Sequence, residues 1–242
     1  MLNLAVHLKT GSGTCWANVE HLDNFFEDLK SRILLSLVLL SVVGIAGAAD
    51  IDVTVLDRDG QPVPNVAVYV QSANGGSLTA PTTTAVMDQV DTRFVPHLLV
   101  VQTGTSVVFS NSDIIAHHVY SFSKPNNFML PLYKGDLQPQ VTFEHAGVIT
   151  LGCNIHDHML AYILVVDSQA YDKTGYDGKI SLTADNPDGL TVSIWSPRFK
   201  HSRENLTQTI NAGKSAAVTF ALTEKLRPPH GNDSDALSWN EY

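Results

Sequence analysis

The chain has 242 residues, 44% of them hydrophobic, with 16 glycines and 11 prolines. That composition fits one large globular domain or two small ones and excludes collagen, low-complexity disorder and a polytopic membrane protein. A formal charge of −9 offers no concentrated basic surface to displace counterions from phosphates, so nucleic acid is not an expected partner, and two cysteines, Cys15 and Cys153, allow at most one disulfide.

In chain order the first feature is a targeting signal. Lys30-Ser31-Arg32 precedes an apolar run, Ile33 to Ile45, too short for a comfortable bilayer span, and Ala46-Gly47-Ala48-Ala49 supplies small residues before Asp50. This is the layout of a secretory signal peptide; the alternative is an uncleaved anchor. The expectation is that residues 1–49 are a signal peptide with an upstream extension, the true start lying near Leu29. Cleavage after Ala49 would send the rest to the periplasm with no stable membrane span. Cys15 would leave with the leader, and Cys153 would be the single thiol in an oxidising compartment. A lone exported thiol needs either a metal bond or an inert place in the core.

Beyond Asp50 the pattern has period two. Ile51 to Val55, Val66 to Val70, His97 to Gln102, Ser106 to Ser110, Gln140 to Glu144, Val148 to Leu151 and Ala161 to Val166 are short runs of β-branched and aromatic residues. Asp59-Gly60, Asn74-Gly75-Gly76, Thr103-Gly104, Ala146-Gly147 and Asp177-Gly178 punctuate them as turns. No stretch alternates at helical spacing, which predicts an all-β chain of antiparallel sandwiches. The tail, residues 225–242, reads as disordered.

The chemistry concentrates in Cys153-Asn154-Ile155-His156-Asp157-His158-Met159, a loop between two predicted strands. Cys153, His156 and Met159 fall three residues apart, so a tight turn brings a thiolate, an imidazole and a thioether to one side. Those donors have graded softness: sulfur favours Cu(I), while imidazole accepts either copper oxidation state. A second imidazole comes from the segment Asn111 to Val119, where His117 opens the strand His117 to Phe122. Two histidines, a cysteine and a weak axial methionine make the blue-copper ligand set. The competing reading is a solvated His-Asp-His turn beside a core methionine. Met87 and Met129 have no such company and read as packing.

These residues resemble a cupredoxin of the plastocyanin and amicyanin family over about Met87 to Asp167, with the Cys-x-x-His-x-x-Met loop of the amicyanin type. Asn111 through Val119 is similar to the family segment in which an Asn precedes the first copper histidine by six residues. The resemblance implies a Greek-key sandwich holding one mononuclear type 1 copper through His117, Cys153, His156 and Met159. Met87-Asp88-Gln89, Phe94-Val95-Pro96-His97, His117 to Ser123, Leu132 to Gly135 and Leu151 to Asp157 also resemble bacterial methylamine utilization proteins of the plastocyanin-like class.

The family commonly has Asn after the first histidine and Pro before it, where this chain has His118 and Ala116. Its outer-sphere bracing therefore does not carry over. Asn111, His118 and His158 stand as candidate outer-sphere residues, and strand alternation sends His117 and His118 to opposite faces.

The flanks have their own resemblance. Val53 to Val68, with Asp59-Gly60 at its turn, is similar to the opening hairpin of a carboxypeptidase regulatory-like, transthyretin-type sandwich. Asp177-Gly178 with Ile180 to Leu182, and Leu190 to Trp195, supply a partner half. The expected organisation is a discontinuous sandwich, 50–72 plus 170–224, with a copper domain at 73–169 inserted in it; one enlarged sandwich is the alternative.

The function expected is periplasmic one-electron transfer rather than catalysis, with a redox protein such as a c-type cytochrome or a dehydrogenase as partner. A non-redox copper carrier and an open-site copper enzyme are the alternatives; zinc fits less well, since its structural sites favour several cysteines.

Overall fold

The computed structural model describes residues 9–10, 13–14, 48–72, 78–185, 189–201, 206–211 and 215–229. The chain divides into two units, Met1–Ile45 and Ala46–Tyr242. In the first, β1 (Lys9–Thr10) pairs antiparallel with β2 (Gly13–Thr14). The signal segment up to Gly47, Cys15 and the tail from 230 lie outside the described residues.

The second unit contains β3 (Ala48–Leu56), β4 (Ala67–Ser72), β5 (Ala85–Val90), β6 (Arg93–Val95), β7 (Leu98–Gln102), β8 (Thr105–Phe109), β9 (His117–Ser121), β10 (Phe128–Tyr133) and β11 (Gln140–Phe143). It continues with β12 (Gly147–Gly152), β13 (Leu160–Val166), β14 (Ala170–Lys173), β15 (Lys179–Asp185), β16 (Leu190–Trp195), β17 (Leu206–Ile210) and β18 (Ala216–Ala221). Among the described residues there is no helix, and the chain is all-β. Two of the strands that periodicity does not reveal, β10 and β17, have local reasons. Pro131 interrupts β10, which survives because it is an edge strand with a register shift between Leu130 and Tyr133. The residues Leu206 to Thr209 of β17 are exposed, so nothing imposes an apolar alternation there.

The strands form two sandwiches. In one, a five-stranded sheet ordered β10-β9-β12-β13-β7 faces a four-stranded sheet ordered β11-β8-β5-β6. Met87, Phe94, Phe109, Phe143, Ile149 and Ile163 fill the space between them. In the other, β14-β4-β16-β17 faces β15-β3-β18 across Val53, Val68, Val192, Ile194 and Phe220. Strands from both flanks of the 73–169 interval meet here: Val53 pairs with Ile180, and Val70 with Val192. The pairing is not purely antiparallel. β13 with β7, β5 with β8 and β18 with β3 run parallel, because the intervening chain crosses to the opposite sheet instead of turning back in a hairpin.

The sandwiches share a seam made by period-two alternation. In β13, Ala161, Ile163 and Val165 point into the first core, while Leu164 and Val166 point out against Ala67, Tyr69 and Trp195 of β4 and β16. In β4, Val68 and Val70 face the second core and Ala67 and Tyr69 the seam. Each strand is therefore buried on both faces, and each reads as a continuous apolar run. Tyr162 meets Trp195 edge-on at 5.9 Å across the seam. Past Leu226 the chain is still tied down: the Arg227 N–H donates to the Arg198 carbonyl at 2.8 Å.

Candidate metal centre

The centre lies at one end of the first sandwich, where β9 begins and β12 ends. Alternation in β9 buries His117 completely and leaves His118 on the other face, half-buried. The loop before β9 is braced by Asn111, whose Nδ2 donates to the carbonyls of Ile115 and Tyr133, both at 3.0 Å. Its Oδ1 accepts the Asp113 N–H at 3.0 Å. Asn111 thus acts on the backbone that delivers His117. His118 has no such part: its Nδ1 is buried and makes no hydrogen bond.

The second strand ends at Gly152, which pairs with Leu160 on one side and Tyr120 on the other. A Cβ at 152 would sit 2.7 Å from the Tyr120 ring, so that approach requires glycine. Cys153 follows at once. The Met159 N–H donates to the His156 carbonyl at 3.0 Å, closing the loop into the tight turn that the three-residue spacing predicts.

Side chains from the two loops converge. His117 Nδ1 faces His156 Nδ1 at 3.2 Å, and Cys153 Sγ lies 3.9 Å from His156 Nδ1. Ligand atoms of His117, Cys153 and His156 all fall within 4.8 Å of one another. Cys153 is a buried free thiol and His156 is half-buried. Met159, 2% exposed, belongs to the same core cluster as Cys153. The two ring nitrogens 3.2 Å apart, and the sulfur 3.9 Å from one of them, are close enough for donors placed about 2.0 Å and about 2.3 Å from a common ion, and two imidazoles with a thiolate are donors that suit copper.

His117 has a further partner. Its Nε2 lies 2.9 Å from Asp113 Oδ2, and the Asp113 side chain is 8% exposed. Burial pushes the Asp113 carboxyl up. The hydrogen bond from His117, the N–H groups of Thr92 and Ile114 and the His117 charge outweigh it and hold the group below its ordinary value. His158 is exposed, with its ring centroid 5.9 Å from that of His156, and its Nε2 lies 3.1 Å from Thr92 Oγ1. Beneath the site, Gln89 Nε2 donates to the Tyr133 hydroxyl, which donates to the Phe109 carbonyl at 2.9 Å. Tyr133 is the cross-strand partner of His117.

Sequence reasoning brings forward His117, Cys153, His156 and Met159 and overlooks Asp113, Thr92, Gln89 and Tyr133. Asp113 had a signal, a carboxylate four residues before a candidate ligand, but outside a helix that spacing promises no contact. One expectation needs correction. Met129 is not packed: outward-facing opposite Tyr120 on an edge strand, it is 61% exposed. Cys153 and Met159, at the two ends of the 153–159 loop, are part of the core.

No family profile matches the sequence, and no curated protein does. Among solved structures, a copper-containing nitrite reductase from Thermus scotoductus SA-01 is similar at 23% identity over 40% of this chain and 25% of that one, with a TM-score of 0.34. The chain thus spans a quarter of that protein's length. A reduced variant of amicyanin is similar at 18% identity, over 42% of this chain and 99% of that one, with a TM-score of 0.33. A purple cupredoxin from Nitrosopumilus maritimus is similar at 20% identity, over 34% of this chain and 99% of that one, with a TM-score of 0.30.

Proposed function

We propose that this chain is a type 1 copper protein that moves single electrons to and from a redox protein in the periplasm. The observation that supports this reading is the meeting of His117 Nδ1, His156 Nδ1 and Cys153 Sγ from two loops of a rigid sandwich. Copper bound there supplies a one-electron couple between Cu(II) and Cu(I). The chain's part is to hold one donor geometry in both states, and both loops are anchored for that. Asn111 braces the first, and the second springs from a paired strand end at Gly152. Cys153 would supply a thiolate donor and Met159, buried in the same core cluster, a thioether donor.

Of the three converging donors, His156 is the most exposed, and Ile155 next to it is 51% exposed. Ile114, on the loop that delivers His117, is 87% exposed. We read this end as the electron port, a small apolar patch of the kind that redox partners dock on briefly. The flanking sandwich is read as a discontinuous transthyretin-type domain that carries the copper domain in its loop. The deciding experiment is an absorption and electron paramagnetic resonance spectrum of the copper-loaded protein. A strong blue thiolate-to-copper band with a narrow parallel hyperfine splitting is expected. A colourless Cu(I) protein that hands its metal to an acceptor would replace this reading with a carrier.

A further inference from the structure

The hairpin β5–β6 turns through two residues, Asp91 and Thr92, between the paired Val90 and Arg93. Both have positive φ, 49° and 58°, as a tight mirror-image hairpin turn demands. Asn-Gly is the usual sequence there, and a β-branched residue with positive φ is an outlier. Such outliers persist where surrounding contacts fix them, often at functional sites.

The contacts of this turn run to the metal centre. The Thr92 N–H donates to Asp113 Oδ2 at 2.8 Å, the same oxygen that faces His117 Nε2 at 2.9 Å. Asp113 Oδ1 accepts the Ile114 N–H at 2.7 Å. Both carboxylate oxygens are therefore engaged, and the group cannot rotate without breaking two bonds. The Thr92 hydroxyl donates to the Asp91 carbonyl at 2.6 Å, so at 3.1 Å it accepts from His158 Nε2. The hairpin is bolted to the same loop at its other end, where Ser112 Oγ donates to Asp88 Oδ2 at 2.7 Å and the Ser112 N–H to the Gln89 carbonyl at 3.0 Å.

We propose that Asp113, fixed by the Thr92 amide at the tip of the β5–β6 turn, is the positioning residue of the copper centre. It keeps the ring proton of His117 on Nε2 and turns the Nδ1 lone pair toward Cys153 and His156. The inference rests on the copper reading above. A carboxylate accepting from the remote N–H of an imidazole ligand fixes its tautomer and makes the near nitrogen more electron-rich. That favours the more highly charged oxidised ion, so Asp113 lowers the reduction potential of the centre. His118, which stands where the resembled family keeps its bracing Asn, has no role in this arrangement; the bracing comes from the opposite sheet.

The test has a metal-free arm and a copper arm. In the metal-free wild-type protein, nitrogen-detected imidazole spectra should place the His117 proton on Nε2. In Asp113→Asn, which keeps shape and loses charge, Cu(II) affinity should fall tenfold or more while Cu(I) affinity changes little. A tenfold selective loss of Cu(II) affinity is a rise of about 59 mV in a one-electron potential. A wild-type proton on Nδ1, or an Asp113→Asn protein with unchanged potential and Cu(II) affinity, overturns the proposal. Absence of a blue band in wild type would defeat the copper reading separately, and the tautomer would still decide what Asp113 does to His117.

Discussion

His117 Nδ1 and His156 Nδ1 face each other at 3.2 Å although the residues are 39 positions apart. Two imidazole lone pairs at that distance need something positive between them, a proton or a metal ion. With His117 Nε2 engaged by Asp113, a neutral ring presents a bare Nδ1. Replacing His117 by Ala should therefore abolish stoichiometric copper binding, whereas His118→Ala should leave it intact. Dialysis against limiting copper, followed by metal analysis, separates the two. Copper lost only from the His118 variant would show that the wrong imidazole has been assigned.

Cys153→Ser should remove the blue band of the copper-loaded protein, because the band requires a sulfur donor. Cys153 is 4% exposed and packed in the core, so the serine hydroxyl is placed among apolar side chains. The expected loss of stability is about 1–3 kcal/mol, read from urea unfolding of the metal-free proteins. A variant that keeps full colour would show that Cys153 is not the thiolate.

Met159→Leu should keep copper but raise the potential, since a thioether donor is lost while the volume is nearly conserved. Metal-free stability should change by less than about 1.5 kcal/mol. Cyclic voltammetry of the two copper-loaded proteins makes the comparison; equal potentials would mean that Met159 only packs.

How much of this was legible differs by element. The three-residue spacing in Cys153, His156 and Met159 shows in the sequence because all three lie on one short loop. Asp113 and Thr92 do not, because their meeting depends on how β5–β6 lies against the loop before β9, a register that no local pattern encodes. The runs Ala67 to Val70 and Ala161 to Val166 are readable as strands, but that their two faces feed two different cores appears only once the seam is seen. β10 and β17 were invisible because edge position frees a strand from apolar alternation.

The turn at Asp177-Gly178 was legible as a turn but not as a point of close packing. Gly178 has φ +70°, and a Cβ there would lie 2.7 Å from the Val55 carbonyl oxygen and 2.9 Å from the Val63 nitrogen. Its own carbonyl accepts the Val55 N–H at 2.8 Å, so the backbones cannot separate freely. Gly178→Ala combines an unfavourable backbone region with a clash against main chain and should cost at least about 2 kcal/mol. Thermal unfolding reads the loss. An alanine variant as stable as wild type would mean that β3 can withdraw from the turn.

Tyr133 links stability to alkaline pH. Burial raises its pKa, with the Gln89 hydrogen bond pulling down and the Asp88 charge pushing up, to about 12 against an ordinary 10.0. The folded state therefore keeps a proton that the unfolded chain gives up first. Between about pH 10 and 12 the unfolded state binds fewer protons, so stability falls as pH rises; below that window the contribution is complete. Two units correspond to roughly 3 kcal/mol. Tyr133→Phe should be less stable at neutral pH by about 1–3 kcal/mol, because Gln89 and the Phe109 carbonyl lose a partner. Its stability should then fall less steeply above pH 10, so the two curves converge. Tyr69, also raised by burial, is present in both proteins and cancels in the difference. Urea midpoints of the metal-free pair from pH 8 to about 12 measure this directly, and a constant offset across that range would show that the Tyr133 hydroxyl ionises as freely in the folded protein as in the unfolded chain.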